Sequence, residues 1–416
     1  MTARIAVIGS GISGLASAWL LSRSYDVTLY EANGRLGGHT DTHDIQIGDT
    51  RYAVDTGFIV YNPKHYPLLC KMFQSLGVEG QPTTMSFAVH NARSGLEYNA
   101  TSINRLFCQR RNLFSPRFHG MVRDILRFYR EAPALLQAGG PGPTLGTYLE
   151  DHGYGAAFRD DHIVPMASAL WSSPGTRVLD FPAAYLVRFM ANHHMLQVDD
   201  RPEWRVVRGG SQQYVHALHA SWSVHERLDC PVRHVTRHAS GVQVDTDAGS
   251  ESFEHVVLAC HSDQALGLLG DASDAERDIL GAIEWQPNDT VLHTDTRVLP
   301  RNRKAWAAWN ALIPERESDQ CTVSYCMNHL QSIDAAETFI VSLNCSDRID
   351  PDRILKRRAY HHPVYTHATV NAQQRKSEIQ GQRNTWFAGA WWGWGFHEDG
   401  MRSAVDVAHG LGVDGP

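Results

Sequence analysis

The sequence predicts an α/β protein of two domains, and three observations carry this prediction. The chain has 416 residues, which exceeds the usual size of a single hydrophobic core. Residues 4–31 show a short apolar run, a glycine turn, a helical apolar pattern and a second apolar run, the order strand, turn, helix, strand. The segments TVLHTDT and TFIVSLNC are strand-like and lie far downstream. We therefore expect a parallel sheet with crossover helices, joined to an α+β domain.

The first turn carries the pattern G-x-G-x-x-G at Gly9, Gly11 and Gly14. Gly9 permits a tight turn, Gly11 lets a pyrophosphate approach the N–H groups at the positive end of a helix, and Gly14 lets helix and strand pack closely. The second strand ends at Glu31, where a carboxylate can accept the hydroxyls of an adenosine ribose. Strand, helix and terminal acid together predict a Rossmann-type dinucleotide site.

A second glycine pair favours FAD over NAD. Arg35, Gly37 and Gly38 follow the ribose acid, and the segment VDTGFIV comes next. Two close approaches of the backbone suit a longer diphosphate contact than an NAD site needs. We therefore expect FAD as the cofactor.

These residues resemble a known family. The pattern E-x-x-x-R-x-G-G followed by D-x-G is similar to the flavin amine oxidase superfamily, which includes amine oxidases, protoporphyrinogen oxidase and phytoene-type desaturases. RGGSQQYVHAL, CPVRHV, HVVLAC and GFHEDGMRSA resemble further segments of that superfamily. The resemblance implies an amine oxidase-like fold of two domains. The FAD-binding domain would take residues 1–80, 204–272 and 378–416, and an interleaved substrate domain would take residues 81–203 and 273–377.

The resemblance also implies which residues hold FAD. In the last FAD segment a strand, a turn at Gly389 and a helix starting at Gly400 would direct the N–H groups of Gly400 and Met401 at the flavin C2 carbonyl, where a helix terminus stabilises negative charge. The full predicted set of FAD contacts is Gly9, Gly11, Ser13, Gly14, Glu31, Arg35, Gly37, Gly38, His39, Thr40, Asp55, Gly57, Phe58, Val232, Gly389, Ala390, Gly400 and Met401.

Three residues are candidates for catalysis. His397 and Glu398 flank the helix expected to face the flavin, and Lys304 lies where relatives place a lysine that works through water near flavin N5. For each, the alternative is a solvated or structurally paired side chain. A flavin needs little help from side chains, because positioning a C–H bond against N5 is the main requirement.

The resemblance implies three functions. A narrower similarity, to bacterial NAD/FAD-binding proteins that occur beside lipid-modifying enzymes, implies hydride transfer between flavin N5 and an apolar, unsaturated or modified fatty acyl substrate, as in a desaturase or oxidase. The first alternative is an amine oxidase that releases hydrogen peroxide. It is disfavoured because Gly400 stands where amine oxidases carry a cage aromatic. The second alternative is a non-catalytic flavin-binding protein.

Composition limits the partners and the compartment. A formal charge of −7 argues against nucleic acid. No apolar run reaches the length of a membrane span, and the N-terminus lacks a signal core. The seven cysteines include no C-x-x-C pair, and the histidines show no metal-ligand spacing. We expect a soluble cytoplasmic protein with reduced thiols and without metal.

One segment departs from the negative overall charge. Residues 105–130, which begin at Arg105 and end at Arg130, contain seven arginines and one acid, Asp124. Apolar residues recur at helical spacing from Phe118 onward. Basic side chains beside an apolar face are typical of interfacial helices. We expect peripheral contact with a lipid surface, such as the inner membrane, with an ordinary substrate-domain helix as the alternative.

Overall fold

A computed structural model describes residues 2–137, 140, 142–199, 201–316 and 320–416. The remaining residues, 1, 138, 139, 141, 200 and 317–319, lie outside the described part. Its strands are β1 (Arg4–Ile8), β2 (Asp26–Tyr30), β3 (Thr42–Ile47), β4 (Thr50–Asp55), β5 (Val60–Tyr61), β6 (Gly80–Thr83), β7 (Phe87–Asn91), β8 (Leu96–Asn99), β9 (Trp204–Val207), β10 (Val224–Arg227), β11 (Val232–His238), β12 (Gly241–Thr246), β13 (Gly249–Phe253), β14 (His255–Leu258), β15 (Glu284–His293), β16 (Trp309–Ile313), β17 (Val323–Cys326), β18 (Ile340–Leu343), β19 (Ile354–Val364) and β20 (Thr385–Phe387).

The helices of the described residues alternate with these strands. They are α1 (Ile12–Leu21), α2 (Pro67–Ser75), α3 (Ile103–Leu106), α4 (Pro116–Glu131), α5 (Leu145–Asp151), α6 (Ala156–Phe158), α7 (Val164–Trp171), α8 (Gly175–Val178), α9 (Ala183–Asn192), α10 (Gln212–Ser221), α11 (Ser262–Leu268), α12 (Asp274–Gly281), α13 (Met327–Leu330), α14 (His367–Gln374) and α15 (His397–Gly410). Among the described residues, none of these helices is both long and apolar enough to cross a membrane.

A five-stranded parallel sheet forms the first layer, in the order β10-β2-β1-β14-β20. In β1 and β2 every residue after the first is buried, which explains their continuous apolar runs. Helix α1 is buried along its whole length, because it lies between this sheet and α15. The parallel sheet and the helix after β1 confirm the Rossmann-type prediction.

A seven-stranded mixed sheet forms the second region, in the order β19-β15-β18-β17-β16-β7-β8. Only β16 and β7 pair in parallel; the other neighbours are antiparallel. The segments predicted as strands, TVLHTDT and TFIVSLNC, contribute to β15 and β18. This mixed sheet confirms the α/β fold with a second, α+β substrate region.

The strands of the parallel sheet come from residues 4–30, 224–258 and 385–387, and those of the mixed sheet from residues 87–99 and 284–364. Both sets fall within the segments assigned to the two domains from sequence. The boundaries at residues 80, 203, 272 and 377 remain predictions.

Helix α4 contains the amphipathic pattern of the arginine-rich segment. Its buried residues include Phe118, Met121 and Phe128. Phe118 and Met121 pack with Val89 and Tyr98 of the mixed sheet. The protein's own core therefore covers much of the apolar face of this helix, whereas Leu126 is 50% exposed. The lipid contact expected for residues 105–130 stays a prediction.

Candidate functional site

A single large cavity runs from the parallel sheet to the mixed sheet. Its volume is about 1420 Å³, above the roughly 300–1,000 Å³ of ordinary small-molecule pockets. The residues that follow β1, β2, β14 and β20 all line it. Ligands of open α/β sheets bind at this carboxyl edge, so the fold itself locates the site.

The turn between β1 and α1 forms one wall. Gly9 adopts a φ of +100° and Gly11 caps α1 without a side-chain hydrogen bond. A Cβ placed on Gly14 would overlap the carbonyl oxygen of Gly9, whereas nothing lies within 4 Å of a Cβ placed on Gly11. Gly14 therefore serves packing, and Gly11 leaves open space in front of a helix N-terminus, which suits a pyrophosphate.

Glu31 lies at the end of β2 and lines the same wall. One carboxylate oxygen accepts hydrogen bonds from the Ser10 N–H at 3.0 Å and the Ser10 hydroxyl at 2.6 Å. The other accepts from the Asn33 N–H at 2.9 Å and its side-chain amide at 2.7 Å. These bonds fix the carboxylate at the position expected for ribose recognition, where ribose hydroxyls would replace the side-chain donors.

The second glycine pair lies against the first turn. Gly38 adopts a φ of +58°, and a Cβ there would come within 2.9 Å of the Gly11 Cα. Arg35 donates to the carbonyls of Gly38 and Thr40, and its guanidinium lies 3.2 Å from Asp41. The two glycine segments thus form one continuous backbone surface.

Most of the predicted FAD contacts line the cavity, and the structure brings them together from five separate parts of the chain. These residues are Gly9, Gly11, Ser13, Glu31, Arg35, Gly37, Gly38, His39, Gly57, Phe58, Val232, Gly389 and Ala390.

Five predicted contacts lie outside the lining: Gly14, Thr40, Asp55, Gly400 and Met401. Asp55 is fully buried and accepts hydrogen bonds from Thr42, Ser211 and Gln331. Burial raises the pKa of Asp55 to about 6. Its role in this structure is to join the β3-β4 hairpin to the loops of Ser211 and Gln331.

Helix α15 begins three residues earlier than the sequence predicted, at His397 instead of Gly400. The Gly400 N–H donates to the Phe396 carbonyl at 3.1 Å, so it is not available to a ligand. A Cβ on Gly400 would meet Ile12 and Ser13 of α1. The structure therefore contradicts the expectation that the N–H groups of Gly400 and Met401 point at the flavin C2 carbonyl. The first turn of α15 leaves the N–H groups of His397 and Glu398 at its N-terminus.

His397 is the one catalytic candidate in the cavity wall. Its ring stacks on Phe58 with centroids 3.6 Å apart. Its Nε2 lies 3.1 Å from the Thr40 hydroxyl and 3.3 Å from the Tyr214 hydroxyl. Burial, assisted by nearby His39, holds the pKa of His397 well below its usual range. The imidazole is neutral and held in a fixed orientation.

The other two candidates lie elsewhere. Glu398 accepts hydrogen bonds from the N–H groups of Leu68 and Leu69, both at 3.0 Å, and so caps helix α2 from α15. Lys304 is exposed on a short turn and does not line the cavity. Glu398 is therefore a structurally paired residue and Lys304 a solvated one. We leave both out of the candidate site.

Aromatic and sulfur-containing residues that sequence analysis missed form the far part of the cavity. They come from distant segments that converge only in the fold: Met85, Phe87, Met166, Trp171, Phe189, Trp309, Tyr325, Trp394 and Phe396. Phe396 directly precedes α15 and stacks on Phe189 with centroids 5.1 Å apart. Phe396 lies four residues before Gly400, the position where the resemblance places the cage aromatic, so the absence of that aromatic at Gly400 stays a prediction.

The cavity wall is almost free of negative charge. Glu31 at the dinucleotide end is the only acidic side chain among the described lining residues. Arg35 and Arg358 both pair with Asp41, at 3.2 and 2.6 Å. Burial lowers the pKa of His39 to about 3 and that of His261 to about 4, so these lining imidazoles are neutral near pH 7.

The residues present fit FAD. Gly11 leaves an open cradle at an uncapped helix N-terminus, Glu31 stands at the ribose position, and the lining carries a buried His39 Nε2 without a hydrogen-bond partner. Such an orphaned buried group is expected where a ligand completes the site. The cavity volume leaves room for a substrate beside the dinucleotide.

Similarity to known proteins also indicates a flavin site. The chain matches the family "Flavin containing amine oxidoreductase" over residues 12–411, and this family binds FAD. A "Putative flavin-containing monoamine oxidase AofH" of Mycobacterium tuberculosis is 24% identical over 272 residues, 62% of this chain and 57% of that protein. The first curated relatives are matched over between 7% and 57% of their own length.

Solved structures share the fold over nearly the whole chain. A CLA-producing fatty acid isomerase from P. acnes has a TM-score of 0.70 at 16% identity, over 99% of both chains. Cyclohexylamine oxidase from Brevibacterium oxydans IH-35A has a TM-score of 0.70 at 15% identity, over 99% of this chain and 100% of that one. Because the family match extends over almost all of its length, the chain belongs to the flavin-containing amine oxidoreductase family.

Proposed function

We propose that this protein is an FAD-dependent oxidoreductase that transfers hydride between flavin N5 and an apolar substrate, an unsaturated or modified fatty acyl chain. The observation that carries the proposal is the wall of the far cavity, which is mainly aromatic and aliphatic, has polar side chains that include Arg201 and His162, and, among the described residues, has no carboxylate. A cationic amine would lose its hydration there without gaining a charged partner, whereas an acyl chain would bury apolar surface at about 25 cal/mol per Å².

The glycine segments around Gly11 and Gly38, with Glu31, would hold the dinucleotide, and α15 would approach its ring system. Bound FAD supplies the hydride acceptor. The protein's part is positioning and the exclusion of water. Phe189 contacts both Trp394 and Phe396, and these rings provide flat walls that restrict a chain to a narrow path. The neutral imidazole of His397 adds no charge to this path.

The direct test is anaerobic reduction of the purified, FAD-loaded protein. We expect a yellow protein whose FAD is released by mild acid and leaves the polypeptide mass unchanged. A panel of unsaturated fatty acids and their esters should bleach the flavin, and lipid extracts from cells with and without the protein should differ by mass spectrometry. If no lipid in the panel bleaches the flavin while a primary amine does, the substrate proposal fails. If neither does, a non-catalytic flavin-binding role is favoured.

Amine oxidation remains the second candidate because the chain belongs to the flavin-containing amine oxidoreductase family. The position at which the resemblance places the cage aromatic is Gly400, which argues against an amine cage here. The fold is shared with both a fatty acid isomerase and an amine oxidase, so the fold alone does not discriminate between them. Hydrogen peroxide release with benzylamine and spermine, compared with the lipid panel, separates the two candidates.

We also propose that the substrate enters from an anionic lipid surface. Ile103 and Phe114 are 79% and 87% exposed. Arg105, Arg110 and Arg111 beside them form no ion pair with a described carboxylate. Ala100, which lines the cavity, lies three residues before Ile103, and Tyr129 of α4, the helix that follows this region, also lines it. Exposed apolar side chains with basic flanks favour anionic membranes by about 1 kcal/mol per basic residue.

Flotation with vesicles of phosphatidylglycerol and phosphatidylcholine tests this docking. The wild type should float at low salt and less so at moderate salt. A variant with Phe114→Ser, Arg110→Ala and Arg111→Ala should stay at the bottom of the gradient. Arg277→Ala, which alters an exposed arginine of α12, is the matched control. A wild type that does not float at low salt would contradict surface entry.

A further inference from the structure

We propose that the far end of the cavity holds a carboxylate-binding subsite made by Arg201, Tyr129 and His162, so that the substrate is a free carboxylic acid with a long apolar tail. This inference rests on the proposed apolar substrate and defines its polar end. All three residues line the cavity and come from separate segments of the substrate region.

Arg201 differs from the other arginines of the cavity wall. Arg35 and Arg358 share the carboxylate of Asp41. Arg201 instead donates to the main-chain carbonyl of Gln197, at 3.3 Å from Nε and 3.2 Å from a terminal nitrogen. Within the described part of the chain it has no carboxylate partner. A guanidinium with that geometry can still form the paired hydrogen bonds that carboxylates prefer.

The two neighbours supply further polar atoms. Burial raises the pKa of Tyr129, and the adjacent Arg201 opposes that rise, so the phenol and the guanidinium are in contact range. Burial, followed by the charge of Arg201, lowers the pKa of His162 to about 4. Both effects indicate that Arg201 faces the same volume as Tyr129 and His162.

His162 provides the independent observation that a ligand belongs here. The residue is only 3% exposed, and its Nε2 has no hydrogen-bond partner. Its Nδ1 lies 2.9 Å from the Tyr98 hydroxyl, which in turn donates to the Asp161 carbonyl at 2.8 Å. Because the Tyr98 hydroxyl donates to Asp161, Nδ1 of the neutral ring carries the proton and Nε2 is an acceptor. A buried acceptor without a partner is costly, and a water held by a carboxylate at Arg201 would donate the missing bond.

The apolar part of the cavity wall fits the long apolar tail of the proposed substrate. Between this subsite and α15 lie apolar and aromatic side chains that cannot pair with a second charge, among them Met166, Leu170, Trp171 and Phe189. A molecule with one anionic end and an apolar body matches this division. A neutral ester or an amine of equal length could not form the paired, charge-assisted hydrogen bonds that a carboxylate forms with Arg201.

Binding of decanoate, 1-decanol and methyl decanoate to the FAD-loaded protein, measured by calorimetry, tests the subsite. The wild type should bind decanoate at least tenfold more tightly than the two neutral analogues. In Arg201→Gln this preference should disappear while affinity for 1-decanol stays within twofold, and Arg201→Lys should retain part of it. Arg205→Gln, an exposed arginine paired with Glu203, is the matched control and should behave as wild type.

Tyr129→Phe provides a second test in case Arg201→Gln no longer binds FAD or has a lowered melting temperature. It should reduce the preference for decanoate over 1-decanol by about threefold to tenfold. Equal binding of acid and alcohol to the wild type, or an unchanged preference in both variants, would overturn the subsite and leave the apolar substrate intact. If none of the three probes binds the wild type, the apolar substrate itself is wrong.

Discussion

The two ends of the cavity are built differently. At the dinucleotide end, the wall is mainly backbone: a Cβ on Gly9 would meet the Ala259 carbonyl oxygen at 2.9 Å, and a Cβ on Gly38 would meet the Gly11 Cα at 2.9 Å. At the substrate end, the wall consists of side chains such as Phe189, which contacts both Trp394 and Phe396. A diphosphate is recognised by N–H groups that every residue carries, whereas a substrate is selected by side chains. The first end is therefore shared by a family, and the second can vary.

The largest expected effect separates the two roles of glycine at the dinucleotide end. Gly14→Ala would force a Cβ into the Gly9 carbonyl, and we expect an insoluble protein or one without FAD. Gly11→Ala would enter open space, so it should fold normally but bind FAD at least tenfold more weakly. Melting curves of the apoprotein and FAD titrations measure both, with Gly120→Ala as control. A stable, yellow Gly14→Ala protein would contradict this assignment.

The next effect concerns the buried histidines. Burial lowers the pKa of His162, His193 and His261 to about 4 and that of His362 to about 3, below an unfolded value of about 6.5. The unfolded chain therefore binds more protons, and stability falls as pH drops below 6.5. Between pH 6.5 and 5 the free energy of unfolding should fall on the order of 5 kcal/mol.

Chemical denaturation at several pH values measures this slope. His193→Gln should lower the linked proton uptake by about one proton. His238→Gln, at an exposed histidine, should leave it unchanged. A flat stability profile over this range would show that these imidazoles are not buried as described.

A smaller effect is expected at the ribose position. Glu31→Ala should weaken FAD binding by about 1.5 to 3 kcal/mol, because ribose hydroxyls lose a charged acceptor in a buried place. Glu31→Gln should lose less, since the amide retains one acceptor oxygen. Equilibrium dialysis of FAD measures both. An affinity equal to wild type in Glu31→Ala would mean that another group holds the ribose.

Glu398 should affect stability and not the site. Glu398→Ala removes the cap on the N-terminal N–H groups of α2 and should cost about 1 kcal/mol of unfolding free energy. The FAD absorption spectrum and the substrate turnover should stay the same. A large loss of turnover at full FAD occupancy would restore Glu398 as a catalytic candidate.

The smallest effect is expected at Lys304. Because this side chain is exposed and outside the cavity wall, Lys304→Ala should leave the rate of anaerobic flavin reduction within twofold of wild type. Stopped-flow absorbance measures that rate, with the wild type in the same buffer as reference. A tenfold or greater decrease would bring the lysine back into the mechanism.

The sequence-based expectations are more accurate at the dinucleotide end of the cavity than at the substrate end. Gly9, Gly11, Glu31 and Gly38 could be assigned from local spacing because a turn and a helix N-terminus depend on residues a few positions apart. The start of α15 could not be assigned this way. Gly400 was expected to begin the helix, but the Asp399 carboxylate accepts the N–H groups of Trp394 and Phe396, each at 3.1 Å, and starts it at His397.

The sequence by itself determined the parallel sheet, the dinucleotide turn and the family, because each depends on a short motif with strict backbone requirements. Only the tertiary structure decided which side chains form the substrate wall. Arg201, His162 and Phe396 lie far apart in the chain and have no common spacing, so no local pattern relates them. They line one cavity because the substrate region and α15 pack around it, which is a property of the whole fold.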